Sequence, residues 1–196
     1  YRVHQSAGFD IDQFEASNAM QSLKKAEVFG FNHPEEKTGV IAQFGKEVRA
    51  IPELKNYFME LVMVADELIL NALFEAPQVD IKDKDNYEVD YPDARSSELV
   101  LCEFEEAVGI FVRDPFGTLN VKVLLQNLVA FAEAGFDPST VTGDNRVGLG
   151  ISIALSHFPS IYMSVNPGKS SLVGFLMPKG VRKRHMQELP KNFHIL

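Results

Sequence analysis

LVLCEFEEAVGIFVRDPFG, residues 99–117, holds two short apolar, β-prone runs, Leu99 to Phe104 and Ala107 to Val112, joined by Glu105-Glu106. Such runs on either side of a brief polar joint predict a β-hairpin. The second run delivers Asp114 where a buried strand emerges, and Pro115-Phe116-Gly117 then turns the chain. Downstream, Ile161 to Val165 and Leu172 to Met177 flank Asn166-Pro167-Gly168-Lys169, which predicts a closing hairpin.

Helical spacing fills the rest. A long helix is expected from Ile51-Pro52, with Pro52 near its first turn and Pro77 beyond its end. Leu54, Phe58, Leu61, Ala65, Leu68 and Ala72 form one apolar stripe on it, while Met59, Met63, Leu70 and Phe74 lie opposite. A helix apolar on two sides should be covered twice, here by the sheet and by N-terminal helices. Val121 to Ala134 also has helical spacing and stops at Gly135, and Leu149 to Phe158 is a further helix candidate. Between them Phe136 to Val147 is turn-rich and reads as a mobile loop. In the first 50 residues Phe9, Ile11, Phe14 and Met20 suggest one short helix, and Val40, Ile41, Phe44 and Val48 another, with Asn32-His33-Pro34 as the break. The expected organisation is an N-terminal helical extension over residues 1–50, a main α/β domain over 51–178 and a basic tail over 179–196.

Bulk properties narrow the function. Of the 196 residues, 45% are hydrophobic and 23% charged, the balance of an ordinary globular protein. Asp66 and Glu67 interrupt the most apolar segment, so no membrane span is expected. The first residue is Tyr and the opening lacks a basic-then-apolar leader pattern, so a fragment of a longer protein without a signal peptide is expected. Cys102 is the sole cysteine, which suits a reducing, cytoplasmic setting. A net charge of −8 argues against a nucleic-acid surface, which needs a positive footprint. Lys179, Arg182, Lys183, Arg184 and Lys191, opposed only by Glu188, make the tail the exception and predict a solvated basic end. Residues 78–96 are acidic and read as a surface loop, whose spacing does not match a calcium-binding EF-hand.

Three short motifs carry chemistry. Glu67 and Asn71 stand one helical turn apart and share a face. An amide oxygen such as that of Asn71 suits Mg²⁺, and a carboxylate beside it can orient or deprotonate an attacking hydroxyl or water. Asp114, at the end of its strand, can accept a hydrogen bond from an exocyclic amine such as that of adenine, although Asp-Pro with a following glycine is also ordinary turn chemistry. Gly148-Leu149-Gly150 opens a helix-like segment whose N–H groups could meet phosphate, with Arg146 placed to add charge.

In this order the motifs resemble the Bergerat-type ATP-binding fold shared by DNA gyrase, the ninety-kilodalton heat-shock chaperone, mismatch-repair ATPases and histidine kinases. The chain looks most like the bacterial anti-sigma-factor serine-kinase-like branch. The matching stretches are Glu67-Leu68-Ile69-Leu70-Asn71-Ala72, Asp114-Pro115-Phe116-Gly117, Gly148-Leu149-Gly150-Ile151 and Pro167-Gly168-Lys169-Ser170-Ser171, within residues 51 to 178. The resemblance implies a two-layer α/β sandwich with a mixed sheet, holding ATP and Mg²⁺. It makes Glu67 the catalytic carboxylate, Asn71 the metal ligand, Asp114 the adenine reader, Gly117 part of the first glycine box, Gly148 to Gly150 the lid hinge on the phosphate side, and Ser171 a neighbour of the base. The sequence departs from the family where Phe116 and Thr118 occupy glycine positions and where Ser170 replaces a common glycine.

Three functions compete on this reading. The first is a protein serine/threonine kinase or anti-sigma-type switch acting on a signalling partner; the ATP-binding part of a histidine kinase belongs beside it, although His4, His33, His157, His185 and His194 lack the setting of a phosphorylated histidine. The second is a nucleotide-gated or catalytically inactive interaction module. The third is an α/β signalling or structural domain without nucleotide, in which the motifs are coincidental. The twice-apolar helix also makes a homodimer an open expectation.

Overall fold

The computed structural model describes residues 23–77, 95–133, 154–155, 157–186 and 188–195. Strand β1 (Leu23–Phe31) leads to helix α1 (Lys37–Ala50), then to a 3₁₀ turn (Pro52–Tyr57), helix α2 (Phe58–Leu70) and a π-helical turn (Asn71–Glu75). Strands β2 (Ser97–Phe104) and β3 (Ala107–Asp114), helix α3 (Val121–Glu133), and strands β4 (Ser160–Asn166) and β5 (Ser170–Pro178) follow. A short helix α4 (Lys183–Met186) and strand β6 (Asn192–Ile195) close the described chain. The strands form one sheet in the order β1-β2-β3-β5-β4-β6, antiparallel throughout except for the parallel pair β4 and β6. The fold class is therefore mixed α/β, as expected, and both predicted hairpins are present.

Alternation along the strands separates two apolar clusters. Leu99, Leu101, Val108, Ile110, Val112, Ile161, Met163 and Phe175 face the helices and join Phe44, Leu61, Ala65, Leu68, Leu128 and Met186 in the main core. On the other face Val100, Cys102, Phe104, Phe111, Tyr162 and Leu176 form a second cluster, built from strand residues. Burial there pushes the Cys102 thiol up to about 12, so it acts as an apolar filler and not as a nucleophile. Phe111 lies flat on the sheet: a Cβ at either Gly109 or Gly174 would run into its ring, so two glycines in neighbouring strands make room for one aromatic.

Three expectations change. The first 50 residues are not helical throughout, because Leu23–Phe31 is an edge strand paired with β2. Its Lys24-Lys25 pair and a register shift between Leu23 and Lys25 hide the two-residue period. Helix α2 is covered by the sheet and by α1, but its second apolar side is covered only in part: Met63, Leu70 and Phe74 are half-buried and Met59 is 71% exposed. Helix α1 contacts both α2 and β1, so it lies beside α2 on the sheet and not behind it; Phe29 of β1 meets Phe44 of α1 edge to face at 6.2 Å. The basic tail keeps Arg182, Lys183 and Arg184 exposed, as expected, but its path is docked. The Tyr57 hydroxyl donates to the Val181 carbonyl at 2.5 Å, Lys183 pairs with Glu60, Lys179 pairs with Glu103 at 2.8 Å, and Met186 is buried.

The break at Asn32-His33-Pro34 has a local cause. His33 Nδ1 accepts from the Glu35 N–H, while the Glu36 carboxylate accepts from the Asn32 and His33 N–H groups at 2.7 and 3.1 Å. This reciprocal capping starts the helical segment with Pro34 in its first turn, where a missing N–H costs nothing. The helix suggested by Phe9 to Met20, the acidic segment from 78 to 94 and the turn-rich segment from 136 to 147 lie outside the described residues. No helix among the described residues is long and apolar enough to cross a membrane.

Candidate functional site

Strand β3 ends at Asp114, which is 8% exposed and sits directly across from Ser171 of β5. The carboxylate Oδ1 accepts from the Phe116 N–H at 2.9 Å and the Gly117 N–H at 3.2 Å, the bonding of an Asx turn. Ser171, itself buried, hydrogen-bonds to the same carboxylate, and its Oγ accepts from the Leu119 N–H at 3.4 Å. Burial raises the Asp114 pKa above its usual value, and the hydrogen bonds from Phe116, Gly117 and Ser171 work against that rise.

Gly117 has φ +66°, in the left-handed region. A Cβ there would come within 2.7 Å of the Gly168 nitrogen and 2.8 Å of the Lys169 nitrogen, and closer still to the Asn166 carbonyl. The Gly168 N–H also donates to the Gly117 carbonyl at 3.3 Å. The turn after β3 and the β4–β5 turn therefore touch backbone to backbone, which only glycine at 117 permits.

The helical half of the site begins with Glu67 on α2 and Asn71 at the start of the π-helical turn, both half-buried. The Asn71 N–H donates to the carbonyls of Glu67 and Leu68, so the four-residue relation predicted between Glu67 and Asn71 holds. From Asn71 the helix widens: its carbonyl accepts from the Ala76 N–H at 3.0 Å, a five-residue step. Widenings of this kind recur at functional sites. Burial raises the Glu67 pKa first, the Asp66 charge adds to the rise, and Lys37 opposes it. Lys37 itself is tied to Asp66 at 2.8 Å.

The two halves meet at one corner. Helix α2 and the π-helical turn both pack against β3. The Thr118 hydroxyl donates to the Ala76 carbonyl at 2.6 Å, joining the turn after β3 to the end of the helix. Arg95 Nη1 donates to the Pro115 carbonyl at 2.6 Å, and the guanidinium lies 4.8 Å from the centre of the half-buried Phe116 ring.

Of the residues singled out from sequence, Asp114, Gly117 and Ser171 thus come together, and the helix bearing Glu67 and Asn71 packs on the same strand. Arg146, Gly148, Leu149 and Gly150 lie outside the described residues. Sequence reasoning missed Arg95 and Thr118. Thr118 was legible only as a departure from a glycine pattern, and Arg95 follows an acidic segment with nothing local to mark it.

Among the described residues no cluster of three or more His, Cys, Asp or Glu side chains could cage a metal. No protein-family model matches this chain, and no curated protein matches it.

Proposed function

We propose that the chain is an Mg-ATP-binding signalling domain of the Bergerat type, a two-layer sandwich acting on a partner protein as a serine/threonine kinase or anti-sigma-type switch. The observation that carries this reading is the tie between the Asp114–Ser171 pair and the end of the helix bearing Glu67 and Asn71, through Thr118 and Ala76. Asp114 stands 43 positions after Asn71 and 57 before Ser171 in sequence, yet the helix end and β5 both pack on its strand.

In this reading the Asp114 carboxylate accepts from the exocyclic amine of adenine, and the Asn71 amide oxygen contributes one ligand to Mg²⁺. The raised pKa of Glu67 suits a general base, since a carboxylate that holds its proton more tightly is a stronger acceptor for that of a partner's hydroxyl. Bound Mg-ATP would supply the phosphoryl group. A nucleotide-gated module without turnover is the second reading, favoured by one observation: Phe116, under the Arg95 guanidinium, stands where glycine is usual.

A thermal-shift series with Mg-ATP, Mg-GTP and neither tests the binding. At 100 times the dissociation constant the folded state should gain about 2.7 kcal/mol, read as a raised midpoint with ATP and not with GTP. Asp114→Asn keeps an oxygen for the turn but turns an amino group toward the base, and it should abolish the ATP response in a protein that still folds. No response to ATP, or an equal response to GTP, overturns the proposal. Radiolabelled ATP with Mg²⁺ separates the two readings: transfer or hydrolysis that vanishes in Glu67→Ala marks the enzyme, and binding without turnover marks the switch.

A further inference from the structure

The sheet is apolar on both faces, but its described helices lie on one. Helices α1 to α4 contribute Phe44, Leu61, Leu128 and Met186 to the helix-side core, and none of their described residues enters the second cluster. An antiparallel sheet with one face in water carries polar side chains there. This face instead carries Val100, Cys102, Phe104, Phe111, Tyr162 and Leu176.

These residues are not in water. Val100 and Phe111 are 0% exposed and Tyr162 is 1% exposed. His194 stacks on the Tyr162 ring, centres 4.2 Å apart, which accounts for part of the burial near the β6 rim. Val100 on β2 and Phe111 on β3 stand in the body of the sheet, each with a strand on both sides. Neighbouring strands flank a side chain without capping it, so a further layer lies over these two. The burial is that of a single chain, and the covering layer therefore belongs to the same chain and not to a second copy.

Of the segments outside the described residues, 1–22 suits the position best. It leads directly into β1, whose Leu23, Ala26 and Val28 are partly buried against the second cluster, so the chain enters the sheet at this face. Val3, Phe9, Ile11, Phe14 and Met20 supply apolar side chains. Its reach is sufficient: four strand spacings from β1 to β4 make about 19 Å, and 22 residues cover about 33 Å even at the short rise of a helix. Residues 134–153 fit worse, because they connect Leu128 of α3 to Ala154 and Leu155, all of which belong to the helix-side core. Residues 78–94 fit worse, because they would carry Asp80, Asp83, Asp85, Glu88, Asp90 and Asp93 onto an apolar surface.

We propose that residues 1–22 cover this face, with their apolar side chains laid across Val100, Phe111 and Tyr162. They add a layer to the sandwich on the side away from the helices and form part of the folded domain, not a tether in front of it. This inference does not rest on the nucleotide reading.

The test uses the full chain with Phe9→benzoylphenylalanine or Phe14→benzoylphenylalanine, irradiated and mapped by mass spectrometry. Cross-links should form within one chain and fall on residues 23–31 and 97–114. Cross-links on helix residues 37–75 or 121–133 instead, or only between two chains, overturn the proposal. Cys102, the sole cysteine, gives a second readout from beneath the cover. Joint Ile11→Asp and Phe14→Asp substitutions should leave circular dichroism unchanged and speed its labelling by N-ethylmaleimide about tenfold or more. That rate should stay flat in low urea, since the opening is local. In Leu128→Ala, which weakens the opposite core, labelling requires unfolding and should accelerate with urea. Joint Ile81→Asp and Val89→Asp substitutions should leave the rate as it is in the wild type. Unchanged labelling after substitution at 11 and 14, or acceleration by the pair at 81 and 89, overturns the proposal.

Discussion

Around Asp114 the polar groups are committed to one another, whereas the Glu67 carboxylate is held by neither a hydrogen bond nor an ion pair among the described residues. The turn from Asp114 to Thr118 is fastened on three sides: to the β4–β5 turn through Gly117, to the end of the helix through Thr118, and to Arg95 through Pro115. Folding alone accounts for its residues. On α2 folding accounts for Leu61, Ala65 and Leu68 but not for Glu67, whose half-buried charge is disfavoured by burial and by Asp66. The contrast teaches that Asp114, Gly117 and Ser171 would be needed even without a ligand, so the catalytic part of the proposal rests on the helix.

The largest effect that sharpens this contrast belongs to Gly117→Ala. Left-handed backbone and a collision with the backbone of residues 166–169 combine there, and the expected loss is about 2–4 kcal/mol, read as a lowered denaturant midpoint. Gly168→Ala is the control, since Gly168 has nearly the same φ, +68°, but open space around a built Cβ. It should lose only the conformational part, about 1–2 kcal/mol. Equal losses at the two positions would mean that the backbone contact between the turns is unimportant.

Next comes Asp114→Ala, which leaves the Phe116 and Gly117 N–H groups without their acceptor and should cost about 1–3 kcal/mol. Asp114→Asn, which keeps the acceptor, should lose less than half of that. If alanine and asparagine destabilise alike, the carboxylate charge matters to the fold and the turn explanation fails.

This division also explains what was legible in the chain. The hairpins were, because Leu99–Val112 and Ile161–Met177 carry short β-prone runs around plain turn residues, and α1 was, because Val40, Phe44 and Val48 keep its period. Strand β1 was not, since an outer strand buries little and its lysines and register shift break the alternation on which recognition depends. Helix α2 was legible as a helix, and its surroundings only in part: it meets the sheet and α1, but Met59 continues an apolar pattern that the fold leaves in solvent. In the candidate site, Asp114 was legible from the apolar run that it ends, whereas its pairing with Ser171 appears only in the register of β3 and β5, and Arg95 and Thr118 act through backbone carbonyls of Pro115 and Ala76, which any residue offers. A contact to such an acceptor leaves no mark on the sequence at the receiving end.

The smallest effect is the most pointed. Because Glu67 holds its proton more tightly when folded than the ordinary value of 4.5, its favourable contribution is present in full below about that pH and is lost as pH rises through the folded value. Gln cannot lose a proton, so Glu67→Gln should match the wild type near pH 4 and become slightly the more stable of the two toward neutrality. Glu47 and Glu60, whose pKa values are lowered, push overall stability the opposite way with pH, but they are present in both proteins and cancel in the difference. The quantity to measure is therefore the gap between the two denaturation midpoints across pH 4 to 8. A gap that opens with pH, together with loss of any phosphoryl transfer in Glu67→Gln, means the chain keeps at this position a carboxylate that its fold is better without. A flat gap would remove the contrast, leaving Glu67 no different from any solvated acid on a helix.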